Sequence, residues 1–190
     1  MGNKVAFTSQ DHLITQQAAA EKQFLAAFEK KQPTFDEPQV VFNPYLINPL
    51  CALVLFKTKD KVAPTLTVHG KRYERENITH TFPAATDHFL PVLGLYEDFD
   101  NKVTIALPDG TSKTLTITTD KLPEDVCRCI NIQATLDYLG DDIMFLTPAG
   151  KNLPTAYDYK GDIRWMLTEN TMFDIKRTKN GNIVTGASPF

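Results

Sequence analysis

The side chains able to do chemistry are few and scattered. The four histidines are His12, His69, His80 and His88, and none stands at metal-ligand spacing from another His, Cys or carboxylate. His69 lies on a predicted strand beside Gly70, and His80 alternates with Ile78 and Phe82. His88 is read as a loop residue next to Asp87, and that His–Asp neighbour pair is the one weak hint of general-base chemistry. The acidic pairs Glu97-Asp98 and Asp141-Asp142 fall in predicted turns, where carboxylates are solvated. Cys127-x-Cys129 lacks the spacer of a redox or zinc knuckle, and with Cys51 the odd count leaves a thiol unpaired. Tyr45, Tyr96 and Trp165 offer either stacking surface for an aromatic or sugar ligand or simple packing. There is no nucleophile elbow, P-loop, dinucleotide fingerprint or zincin motif. By themselves the residues give no catalytic set, no cofactor site and no metal site.

Composition narrows the classes further. The chain has 190 residues, 42% hydrophobic and 23% charged, which is ordinary for a folded protein with a real core. A net charge of −3 and a pI near 5.8 argue against a nucleic-acid partner. The densest basic cluster, Lys71, Arg72 and Arg75, is interrupted by Glu74 and Glu76. No apolar run approaches the ~20 residues of a membrane span; the longest, Leu50–Phe56, has the length of a strand. Met1–Gln10 holds no apolar core of a signal peptide, which fits a cytoplasmic chain or one trimmed of its export signal.

The elements that would hold these residues are mostly strands. Residues 9–31 predict one helix, with Leu13, Ala20, Phe24, Ala27 and Phe28 on one face. Thr8, Ser9 and Asp11 are N-cap candidates, Lys30 and Lys31 suit the carboxyl end, and Pro33 stops the helix. Its apolar face fits an arm packed on its own domain, with pairing to a second copy as the other use. From Pro38 the period changes to two, predicting strands at 39–43, 52–57, 65–69, 77–82, 90–95, 102–107 and 113–118. Pro108-Asp109-Gly110 marks the sharpest hairpin. Short strands at this spacing predict an immunoglobulin-like sandwich, without the Cys…Trp…Cys pattern of antibody domains.

Residues 121–142 read as a connector, opened by Asp120 and Pro123-Glu124-Asp125, with one or two helical turns at Ile132–Leu139 ended by Gly140. Ile143–Leu146 predicts a short strand. Tyr157-Asp158-Tyr159-Lys160-Gly161-Asp162-Ile163-Arg164-Trp165 and Lys179-Asn180-Gly181-Asn182-Ile183-Val184 each read as strand, Gly turn, strand. That pattern suits propeller blades, which need neighbours to bury their faces.

Asn43-Pro44-Tyr45, Pro49-Leu50 with Ala52-Leu53-Val54, Thr67-Val68-His69-Gly70, Gly94-Leu95-Tyr96 and Asn101-Lys102-Val103-Thr104 follow in an order and spacing that carry a resemblance. Together they resemble the amino-terminal part of the bacterial aryl-sulfate sulfotransferases, and Tyr159–Leu167 resembles the segment leading into that family's propeller. The resemblance implies an enzyme that moves a sulfuryl group from a phenolic sulfate ester to a phenol, without a nucleotide donor, through a sulfated histidine. Other His and Arg side chains would stabilise the transferred group. The family's catalytic groups lie in propeller blades beyond this sequence, so none is carried over; His69 matches a sandwich motif. Leu153-Pro154-Thr155 stands where the entry to the propeller is longer in the family and offers a bulkier apolar residue. Family members act outside the cytoplasm.

The expectation is therefore a mainly β chain: helical arm at 1–34, immunoglobulin-like sandwich at 36–120, connector at 121–142 and the beginning of a propeller at 143–190. It would be the scaffold and assembly part of an aryl-sulfate sulfotransferase, inactive alone, with a phenolic sulfate and a phenol as the parent enzyme's substrates. The alternative is a stand-alone extracytoplasmic sandwich that binds a partner or dimerises without catalysis.

Overall fold

The computed structural model describes residues 9–124, 126–133, 143–147, 153–169, 171–179 and 183–187. Helix α1 covers Ser9–Lys31, as its periodicity predicts. The N-cap candidate Thr8 and the side chains of Ser9 and Asp11 lie outside the described residues. At the far end Gln32 takes a left-handed conformation (φ 48°) and donates its N–H to the Phe28 carbonyl, and Pro33 forbids another turn.

Two antiparallel sheets follow. The first has the order β1 (Gln39–Phe42), β2 (Cys51–Val62), β5 (Ala85–Leu93). The second has the order β4 (Ile78–Thr81), β3 (Thr65–Val68), β6 (Phe99–Ala106), β7 (Ser112–Thr119). Their facing sides interdigitate: Ala52, Val54, Phe56, Leu90 and Val92 meet Leu66, Val68, Val103, Ile105 and Ile117 in one buried cluster. All seven predicted sandwich strands are present, with different ends. The β6–β7 hairpin turns at Pro108-Asp109-Gly110 as read: Gly110 has φ 88°, and the Asp109 carboxylate accepts the Thr111 N–H.

β2 explains why its sequence is an unbroken apolar run. Its even-numbered residues fill the sandwich, while Leu53 and Leu55 on the other face pack under Phe24 and Phe28 of α1. A strand covered on both sides loses the alternation of a half-solvated one. The other sheet keeps that alternation, and its outer face is lined with paired threonines: Thr65–Thr81, Thr67–Thr79 and Thr104–Thr114, at 2.8 to 3.0 Å.

Beyond the sandwich, β8 (Met144–Leu146), β9 (Thr155–Tyr157) and β10 (Ile163–Met166) form an antiparallel sheet in the order β10-β9-β8, and β11 (Thr171–Arg177) pairs with β12 (Ile183–Ala187). The predicted helical turns from residue 134 onward with Gly140, the pair Asp141-Asp142, Asp125 and the turn Asn180-Gly181-Asn182 lie outside the described residues. Leu122, Val126, Tyr157, Ile163 and Met166 join the sandwich's own apolar cluster, so the hydrophobic core runs unbroken from the sandwich into β9 and β10.

Phe28 is 1% exposed and its ring lies 4.8 Å from that of Phe89, so α1 depends on it for its seat. Truncation of Phe28 to Ala is expected to lower stability by about 3–5 kcal/mol in urea unfolding, as for other fully buried phenylalanines.

Candidate functional site

The densest gathering of buried polar groups lies where the β9–β10 hairpin meets the sandwich, around Arg164. This guanidinium is 1% exposed. Its Nε donates to the Gly94 carbonyl at 2.8 Å, and its Nη1 donates to the Glu76 carbonyl at 3.2 Å and to the Tyr96 hydroxyl at 2.7 Å. Its carbon sits 3.9 Å above the Tyr96 ring, and the Asp158 carboxylate is 3.8 Å away. Nη2 has no partner among the described residues.

Each wall of this socket has a local cause. Gly94 takes φ 82°, and a Cβ there would lie 2.3 Å from Ile78 Cδ1. Only glycine lets the chain turn so sharply and so close. Tyr96 is then fixed by Asn101, fully buried, which accepts the Tyr96 N–H at 2.8 Å and donates to the Tyr96 carbonyl at 3.1 Å. The Thr119 hydroxyl donates to the same carbonyl. Gly70 opens room on the next side, since a Cβ would fall 2.2 Å from Glu76 Cβ. The Glu76 carboxylate thereby reaches inward, accepting from the N–H of Arg72 at 2.8 Å and the hydroxyl of Tyr159 at 2.9 Å. Gly161, at φ 80°, closes the β9–β10 turn, and Asp158 accepts the N–H groups of Lys160 and Asp162 at 2.9 and 3.1 Å.

Burial and charge pull these groups in different directions. Burial pushes Glu76 up, but the Arg72 backbone N–H and the Tyr159 hydroxyl outweigh it and hold the carboxyl below its usual value. Burial raises Asp158, with the hydrogen bonds from Lys160 and Asp162 opposing. It lowers Arg164 against the attraction of Tyr96 and Asp158, and lifts the Tyr96 phenol to about 12. At the rim Asp162 pairs with Arg72 and with Lys71 at 3.4 Å. The basic cluster seen in the sequence is thus largely spent on internal carboxylates.

The other sequence candidates are dispersed. His88 is in strand β5, not a loop; it is 2% exposed and stacked on Phe56 at 4.5 Å. Successive strand residues face opposite sides, so Asp87 turns away toward Lys57 and the pair forms no dyad. His69 meets Thr104, His80 packs edge-on to Phe82, and His12 is exposed on α1. Glu97 is drawn into a pair with Arg128 at 2.8 Å. Tyr45 packs on Phe24 and Trp165 on Phe145. Cys51, Cys127 and Cys129 are free thiols, and burial pushes Cys51 up to about 12. Two surface recesses, about 400 and 340 Å³, flank β1, and neither borders the Arg164 socket. Among the described residues no three His, Cys, Asp or Glu side chains gather as metal ligands.

Sequence reasoning missed the socket because the residues that meet across it, from the sandwich and from the hairpin, are 62 to 91 positions apart. Its glycines and tyrosine did stand out, as parts of the motifs Thr67–Gly70, Gly94–Tyr96 and Asn101–Thr104. Those motifs converge on one place, and comparison with known families says what the stretch that holds them is similar to. Residues 39–121 match the arylsulfotransferase Ig-like domain. The resemblance read from the motifs is therefore borne out for the sandwich. No curated protein matches the chain. The matched stretch supplies Gly70, Glu76, Gly94, Tyr96 and Asn101, while the arginine they receive comes from beyond it. What this geometry does chemically is bind: it holds a hairpin to the domain with three charge-assisted hydrogen bonds.

Arg164→Ala is expected to cost about 3–5 kcal/mol of stability, because it leaves two buried carbonyls and the Tyr96 hydroxyl without their donor and Asp158 without its counter-charge. Arg164→Lys is expected to recover little of it, since an ammonium does not reproduce the fork. Denaturation followed by Trp165 fluorescence measures both. In a native thiol titration at about pH 8, Cys51 is expected to stay silent until unfolding, and the exposed Cys129 to react.

Proposed function

We propose that this chain is the amino-terminal scaffold of an aryl-sulfate sulfotransferase. The parent enzyme would pass a sulfuryl group from a phenolic sulfate ester to a phenol through a sulfated histidine. The carrying observation is the arylsulfotransferase Ig-like match over residues 39–121, with β9 and β10 locked into the same core through Arg164. A domain that grips the strands following it is suited to aligning a larger β structure. In this reading those strands begin the propeller that holds the catalytic histidine.

Three of the four histidines support a scaffold role for the sandwich. His88 is buried, and His69 and His80 are engaged with Thr104 and Phe82 on the sheets. The reading also places the enzyme outside the cytoplasm. No helix among the described residues is long and apolar enough to cross a membrane. The dimerising use of α1 is less favoured, because Phe24 and Phe28 are already seated on Leu53 and Leu55 of the same chain.

The test is nitrophenolate release from 4-nitrophenyl sulfate with phenol as acceptor. The 190-residue chain is expected to give no turnover, and the complete gene product is expected to give it. Turnover by the chain alone would place a catalytic group among these residues and overturn the scaffold role. An inactive complete gene product would overturn the sulfotransferase reading.

A further inference from the structure

We infer that His88 is an acid-released latch on the strap that joins α1 to the sandwich. The imidazole is buried between β5 and β2, 2% exposed, and its Nε2 lies 2.9 Å from the Thr58 hydroxyl. That hydroxyl has a single proton and also faces the carbonyls of Asp60 and Thr86. A neutral ring suits this hydroxyl as donor or as acceptor. A protonated ring has two N–H donors, and Phe56 covers its face at 4.5 Å, attracting a cation weakly but accepting no hydrogen bond.

The charges around the ring do not rescue it. Asp87 is adjacent in β5 but on the opposite face, 3.4 Å from the Lys57 ammonium of β2, which also lies 3.6 Å from Glu29 of α1. Burial lowers the imidazole's proton affinity, and the field of Asp87 only partly opposes it. An imidazole that binds its proton less readily when folded costs stability as pH falls. The loss begins near the unfolded value of about 6.5 and continues down to the folded value.

What would loosen is set by the second ring packed on Phe56. Its ring meets Phe35 edge-on at 5.5 Å. The segment carrying Phe35 is tied to β2 by the Pro33 carbonyl, which accepts the Lys57 N–H at 2.8 Å, and by a parallel bridge from Thr34 to Lys57. Protonation of His88 therefore strains the point where α1 hands over to the sandwich, together with the outer part of the β2–β5 ribbon. The other histidines are exposed or half-exposed and lie elsewhere. This inference does not depend on the sulfotransferase reading.

The experiment is amide exchange by mass spectrometry on the whole chain, corrected for intrinsic pH effects. On going from about pH 7.5 to about pH 5.5, exchange in residues 33–36, 57–62 and 85–89 is expected to rise at least threefold, roughly, over that of β6 and β7. His88→Phe, which keeps the stack and removes the titration, is expected to abolish that rise. If His88→Phe does not fold, Thr58→Val serves instead, and is expected to move the pH midpoint while keeping the rise. Equal exchange at both pH values in the wild-type chain overturns the latch. So does an unchanged rise in His88→Phe, or an unmoved midpoint in Thr58→Val.

Discussion

The structure turns on one buried charge. Taking a guanidinium out of water costs several kcal/mol even after relaxation. Arg164 is tolerated only because the sandwich presents two carbonyls and a phenol at fixed positions, and its own hairpin adds the Asp158 carboxylate. A donor fork of that shape fits one placement of β10 against the sandwich. The apolar contacts of Tyr157, Ile163 and Met166 supply area without direction; the arginine supplies the direction.

The same constraint accounts for residues that seem wasteful elsewhere. Gly70 and Gly94 weaken their segments through chain entropy, yet a methyl group at either would collide with Glu76 or Ile78. Asn101 is an amide in the middle of a β-sandwich, where a valine would pack well. It stays because the bend at Tyr96 leaves backbone groups that need partners. These positions are chosen by the polar socket and not by sheet propensity.

How much of this was legible depended on the range of the interaction. α1 and the seven sandwich strands are local patterns, and they were read with modest errors at their ends. β2 and β5 run farther than expected, to Val62 and from Ala85, because they pair beyond the sandwich where their residues are polar. His88 was misplaced for that reason: Asp87 before it suggested a loop, and only pairing with Phe56 makes it a core residue. The socket was not legible at all as a site. Arg164 stands next to Trp165 in a turn-and-strand pattern, and nothing in its neighbours announces that its partners lie on loops before it. The motifs nevertheless pointed at the right stretch, since Gly70, Gly94, Tyr96 and Asn101 are their fixed points.

The two-sided covering of β2 carries a consequence for how its partners find alignment. In a strand with one wet face, sliding by one residue exposes every apolar side chain, so the pattern itself selects the pairing. In Cys51–Phe56 a slip exchanges one apolar residue for another, and the penalty nearly vanishes. Alignment must come from the ends. At one end the Asn43 side chain accepts the Asn48 N–H and the Leu50 carbonyl accepts the Leu95 N–H; at the other the Pro33 carbonyl holds Lys57. β2 is thus indexed by its terminal contacts, like a ruler read from its end stops rather than from its markings.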